Sequence, residues 1–276
     1  MRKYISEFIG TFLLIFMGCG AAVASNALFS AQGFLPASFG MVIVAVSFGV
    51  ILAVLTYAFA KVSGAHLNPA VSLAMLVTKK LSVKDFFGYI VSQFAGGIAG
   101  AALLIVLLGG RTSLGANGYG SLSTFGITLW LALLVEIIAS FFFVYAVLAA
   151  KERDSESGSG ALISGLALTA VYLFAVPFTG GSANPARSFG PALLQGGDAL
   201  FQVWVFIAAP LAGALLASLL YAFLNGGGEK TEADEEEDGD TETEAAIAED
   251  TEEQEVMADA EELDDQVDDT EEDRVN

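Results

Sequence analysis

Histidine and cysteine are almost missing from this 276-residue chain, which holds one of each, His66 and Cys19. One cysteine excludes an internal disulfide, and one histidine without ligating neighbours gives no expectation of a metal site. No G-x-x-x-x-G-K loop is present, so nothing points to nucleotide-driven work. Charge is also scarce through residue 228, where seven acidic and ten basic side chains leave a net +3. Only two acids, Glu7 and Glu136, fall inside long apolar runs. That inventory is too thin for an enzyme or for a carrier with a relay of acids. No cofactor, metal or nucleic-acid partner is expected.

The missing acid is concentrated at the end. Residues 229–276 carry 25 of the 32 acidic side chains and two basic ones, with no aromatic and few large apolar residues. Such a segment cannot bury a core. The expectation is therefore two domains: residues 1–228, and an acidic, disordered tail over 229–276. The plain role for that tail is a solvated spacer. The sharper one is adaptation to a salty cytosol or capture of a basic partner, although the preceding loops are not strongly acidic.

What fills residues 1–228 is hydrocarbon. Uncharged apolar runs cover Phe39 to Ala60, Phe86 to Leu108, Ala161 to Phe178 and Ala199 to Leu224. Two more, Tyr4 to Ala24 and Phe125 to Ala150, carry one charge each. A helix needs roughly 20 apolar residues to cross ~30 Å of hydrocarbon, and only helices or closed barrels satisfy their backbone there. Strand-like alternation is absent, so six membrane-spanning helices are expected. The first run follows Arg2 and Lys3 like a signal peptide, but its length and Glu7 favour a retained span. Arg2, Lys3, Lys61, Lys79, Lys80, Lys84, Lys151 and Arg153 fall on one side of a six-span arrangement, and Arg111 and Arg187 on the other. That bias places both termini in the cytoplasm of a cell-membrane protein.

The two halves repeat each other. Glu7-Phe8-Ile9-Gly10-Thr11-Phe12 parallels Glu136-Ile137-Ile138-Ala139-Ser140-Phe141, Gln93-Phe94-Ala95-Gly96 parallels Pro210-Leu211-Ala212-Gly213, and Asn-Pro-Ala occurs at Asn68 and Asn184. The Gly/Ser/Thr-rich stretch 109–124 divides them. Three spans per half make this an inverted repeat, with functional sites at the midplane. The small residues Gly96, Gly100, Gly213 and Ala217 are expected to pack helices closely. Asn68 to Val77 and Asn184 to Leu194 are too short to span and fit re-entrant half-helices. Asn is a favoured N-cap, and Pro69 and Pro185 suit the first helical position, where no donor is lost. Each such N-terminus carries roughly half a positive charge, so two meeting at mid-membrane disfavour a cation. Glu7 and Glu136 are expected to accept hydrogen bonds from the exposed amides of the two re-entrant loops.

SGAHLNPAVS and TGGSANPARSFGPAL resemble the two signature loops of the major intrinsic proteins, the aquaporin and glycerol-facilitator family. The resemblance covers about residues 4 to 224. It implies a homotetramer with one pore per subunit, passing water, with glycerol or another small neutral solute as the alternative. It also implies that Asn68 and Asn184 are the central pore amides and Arg187 the filter arginine. By the same likeness Phe48, Tyr172 and Gly181 complete the filter, and His66 supports a pore-facing turn. Phe48 and Ser188 are similar to water-selective members. Tyr172 departs from the usual His and Ile207 from the usual Trp; a bulky Tyr172 favours water over glycerol, while Gly181 is expected to return some space.

Overall fold

The computed structural model describes residues 1–32, 37–110, 113–153 and 159–225. The expected tail, 229–276, and Arg111 lie outside the described residues. Residues Met1–Leu224 form one compact unit. It is all helical, with no strand among the described residues. Six helices are long and apolar enough to cross a membrane. They are α1 (Arg2–Gln32), α2 (Ala37–Ser63), α4 (Val83–Leu107), α5 (Leu129–Arg153), α6 (Ser159–Thr179) and α9 (Val205–Asn225), the last extended at its start by the short α8 (Gly197–Gln202). The half-helices α3 (Pro69–Val77) and α7 (Pro185–Gln195) begin one residue after the two Asn caps.

The inverted repeat is visible where backbones touch. A Cβ placed on Gly96 would stand 2.4 Å from the Phe8 carbonyl oxygen, and one on Gly213 would stand 2.4 Å from that of Ile137. Phe8 and Ile137 each follow their half's buried glutamate, so α4 sits on α1 as α9 sits on α5. Gly49 of α2 and Gly165 of α6 meet each other: a Cβ on either would lie within 2.6 Å of the other's carbonyl oxygen. In lipid no hydrophobic drive brings helices together, and small residues permit the close packing that does.

Outside these contacts the helices show lipid-like faces. Val50, Val54, Trp130, Phe201 and Phe223 are exposed, while Leu14, Ile15, Phe48 and Leu148 are buried. The half-helix α7 is seated by Gly190, where a Cβ would fall 2.3 Å from the Gly97 carbonyl oxygen of α4. That neighbour is backbone and cannot turn aside. Gly190→Ala is therefore expected to cost about 1–3 kcal/mol by overpacking, read as a lower thermal midpoint of the detergent-solubilised protein. Gly110→Ala, with nothing within 4 Å of its Cβ position, should leave the midpoint unmoved. Equal midpoints for the two variants would show that the α4–α7 contact does not set the stability.

Candidate functional site

The two Asn-Pro-Ala segments build one structure from two copies. Asn68 caps α3 by accepting from the Ala70 amide at 2.8 Å. Asn184 caps α7 by accepting from the Ala186 and Arg187 amides at 3.0 and 3.1 Å. Each side-chain nitrogen then crosses to the other copy. Asn68 Nδ2 donates to the Ala183 carbonyl at 2.8 Å, and Asn184 Nδ2 donates to the Leu67 carbonyl at 2.9 Å. The caps occupy the oxygens, so the orientation of both amides is set by their partners. An amide nitrogen has two hydrogens. One is spent across the junction, and one remains on each Asn.

Opposed helix tips with uncompensated amides need support, and the preceding loops supply it. Gly64, Ala65 and Leu67 have positive φ, as do their counterparts Gly180, Gly181 and Ala183. For Ala65, Leu67 and Ala183 this left-handed backbone costs about 1–2 kcal/mol each. A buried carboxylate holds each loop in that shape. Glu7 accepts from the His66 and Leu67 amides at 2.9 and 2.6 Å, from Ser63 Oγ at 2.7 Å and from Gln93 Nε2 at 2.8 Å. Glu136 accepts from the Ser182 and Ala183 amides at 3.1 and 3.0 Å and from Thr179 Oγ1 at 2.6 Å. The position of Gln93 is taken by Pro210 in the second half, so that knot has one donor fewer.

Beyond the Asn pair, on the α7 side, lies a cavity walled by Phe48, Tyr172, Arg187, Asn68 and Asn184. Arg187 is 2 % exposed. Its guanidinium lies 4.9 Å from the centre of the Phe48 ring and 5.9 Å from that of Tyr172. It is fixed by Nε donating to Tyr172 Oη at 3.0 Å and Nη1 donating to the Gly115 carbonyl at 2.7 Å. The Phe48 and Tyr172 rings pack at 4.6 Å, which draws them together on one wall. Gly181 does not return space to the cavity. Its missing Cβ would stand 3.2 Å from Val176 Cγ2 and 3.4 Å from the Tyr172 ring, so the room it leaves is filled by Tyr172.

A second cavity opens on the opposite side of the Asn pair, against Thr56, His66, Lys151 and Ser164. Both cavities touch Leu52 and Phe143, so they lie end to end along one apolar wall. Lys151 Nζ donates to the Gly64 carbonyl. Among the described residues no group of His, Cys, Asp and Glu side chains is arranged to hold a metal ion.

Composition alone hides part of this site. The stretch that reads as a divider is built into it: Gly115 fixes Arg187, and Asn117 Oδ1 accepts from Ser188 Oγ at 2.8 Å while its Nδ2 donates to the Thr179 carbonyl at 3.2 Å. Asn117 is 1 % exposed. A polar Asn inside a Gly-rich loop is the single sequence signal that could have marked it.

Comparison with known proteins gives a consistent relationship. The profile of the Major intrinsic protein family matches residues 1–221. Aquaporin Z of Rhodopseudomonas palustris is 38% identical over 230 residues, covering 81% of this chain and 93% of its own. Aquaporin Z of Brucella melitensis is 38% identical over 231 residues, covering 82% of this chain and 99% of its own. Among solved structures, the aquaglyceroporin from Plasmodium falciparum superposes with a TM-score of 0.69 at 25% identity, covering 80% of this chain and 94% of its own.

Proposed function

The chain belongs to the major intrinsic protein family, and on that premise we propose that it forms a passive water channel. The observation that carries this reading is the junction of α3 and α7. Two Asn side chains each keep one N–H uncommitted, between two cavities that share a wall. A water whose oxygen accepts from both amides turns its hydrogens outward along the file, so it cannot relay a proton through that point. The helix tips add positive potential at the same place. Asn68 and Asn184 are thus the central pore amides.

Arg187, Phe48, Tyr172 and Gly181 form the filter in this reading. Arg187 is a fixed cation with aromatic faces beside it, held on two sides. It repels cations and donates to water. Tyr172 supplies bulk and, through its hydroxyl, orients Arg187; Gly181 makes room for that ring. His66, Pro69, Pro185, Glu7 and Glu136 shape the re-entrant loops. The protein is a multi-pass membrane protein. We place its termini in the cytoplasm and its assembly as a homotetramer in the lipid of the cell membrane, as the family resemblance implies, with 229–276 as a separate acidic segment. Passive flow needs no cofactor and no catalytic residue.

Paired flux assays in liposomes test the reading. Water efflux against an impermeant osmolyte should be fast, and a glycerol gradient should dissipate at the rate of empty vesicles. Tyr172→Ala should admit glycerol while water still flows, because it removes the ring that fills the space beside Gly181. Glycerol flux through the unaltered protein as fast as that of water would replace the water reading with the facilitator one.

A further inference from the structure

We propose that Ser72 and Gln93 are positioning residues that fix the proton of His66 on Nε2, so that this imidazole faces the second cavity as a hydrogen-bond donor. The assignment follows from counting donors along one buried chain of groups. It begins at Glu7, whose two oxygens receive Ser63 Oγ, the His66 and Leu67 amides and Gln93 Nε2. A carboxylate so surrounded acts only as an acceptor. Gln93 must therefore turn its nitrogen, not its oxygen, toward Glu7. The second hydrogen of that same nitrogen goes to Ser72 Oγ at 2.9 Å.

Ser72 is fully buried. Its oxygen is already accepting from Gln93, and its own proton needs a partner. Two other buried helix serines send theirs to the carbonyl one turn back, Ser164 to Gly160 at 2.8 Å and Ser218 to Ala214 at 2.7 Å. Ser72 makes no such bond. Its remaining polar neighbour is His66 Nδ1 at 3.1 Å. Ser72 therefore donates and Nδ1 accepts, because the reverse would strand a buried hydroxyl proton. A neutral ring with a bare Nδ1 carries its proton on Nε2.

Nε2 has no protein partner among the described residues, and His66 lines the second cavity. The N–H is thus left for a group in that cavity. The charged and titratable groups around the ring are Glu7 on its backbone side, Tyr89 packed edge-on at 5.0 Å, and Lys151, whose ammonium donates to the neighbouring Gly64 carbonyl. An imidazolium would donate from Nδ1 to the Ser72 oxygen and leave the buried Ser72 proton without a partner. The other half has no such ring: Ser182 stands at the position of His66, and Ser188 donates instead to Asn117. A neutral imidazole donor is therefore present on one side of the Asn pair only. That the donor meets water rests on the water-channel reading; the position of the proton does not.

The experiment is imidazole ¹⁵N magnetic resonance of the full chain in lipid bilayers. His66 is the only histidine, so one pair of nitrogen signals reports the site. Expected is a bare, pyridine-type Nδ1 and a protonated, pyrrole-type Nε2, as one tautomer from about pH 8 down to about pH 5.5, a range across which a free histidine would titrate. Ser72→Ala should give two tautomers and an imidazolium signal within the same range. A pyrrole-type Nδ1 in the unaltered protein would overturn the assignment, and needs no variant to be seen. So would a Ser72→Ala spectrum identical to that of the parent. Water flux measured on the same vesicles keeps the two ideas apart: a protonated Nε2 in a non-conducting protein would remove the channel reading and leave the proton where it is placed here.

Discussion

Arg187→Ala should turn a water-only passage into one that leaks protons and small cations. The removed charge is buried beside Phe48 and Tyr172, 4.9 Å from the centre of the Phe48 ring, where no bulk water screens it. A unit charge about 5 Å from a passing cation, at an effective dielectric near 20, contributes about 3 kcal/mol of repulsion. That corresponds to roughly a hundredfold rise in cation permeation. Vesicles carrying an entrapped pH dye should show the leak directly, while water efflux persists or rises. Arg187→Lys separates charge from geometry. It keeps the cation but not the fork that bonds Tyr172 and Gly115, so it should restrain the leak while disturbing water flow. If the alanine variant stays at the background of empty vesicles, the barrier lies at the half-helix tips and not at Arg187.

Glu136→Leu should severely damage folding. Leucine fills the space, but the Ser182 and Ala183 amides and the Thr179 hydroxyl lose their acceptor in a buried place. Each stranded donor costs about 1–3 kcal/mol, and the loop that carries Ala183 then loses its hold on Asn68. The expected outcome is a protein that fails to reach the membrane fraction as a monodisperse species, or does so with a strongly lowered thermal midpoint and little water flux. Glu136→Gln retains one acceptor oxygen and should fall between. Glu7→Leu should behave alike, with four donors stranded instead of three. A Glu136→Leu protein with the parent's midpoint and flux would show that the loop holds its left-handed turns without the carboxylate.

Much of this site is legible in the chain because it is local. Six long apolar runs, four of them uncharged, announce six helices, since nothing else can be so apolar for so long and still satisfy its backbone in lipid. Asn-Pro marks the starts of α3 and α7 because capping and the missing proline N–H act within a few residues. The matching glutamates are readable because the same motif appears twice with the same spacing. What is not legible depends on partners far apart. Gly115 and Arg187 are 72 residues apart, and Asn117 and Ser188 are 71 apart; a Gly-rich stretch has the same composition whether it wraps a filter or merely links two halves. The use made of Gly181 is of this kind too. A missing side chain reads as added room in the cavity until the Tyr172 ring is seen beside it.

The amino-acid order alone determined the six spans, the two half-helices and the inverted pairing of their halves, because hydrophobic length, helix capping and repetition are written in consecutive residues. Only the tertiary structure decided which groups meet: each Asn donating to the other copy's carbonyl, Arg187 pinned between Tyr172 and Gly115, Ser72 turned toward His66. Hydrogen bonds are short and directional, so their partners follow from where the helices cross, and those crossings are set by backbone contacts such as Gly49 with Gly165 and Gly190 with Gly97.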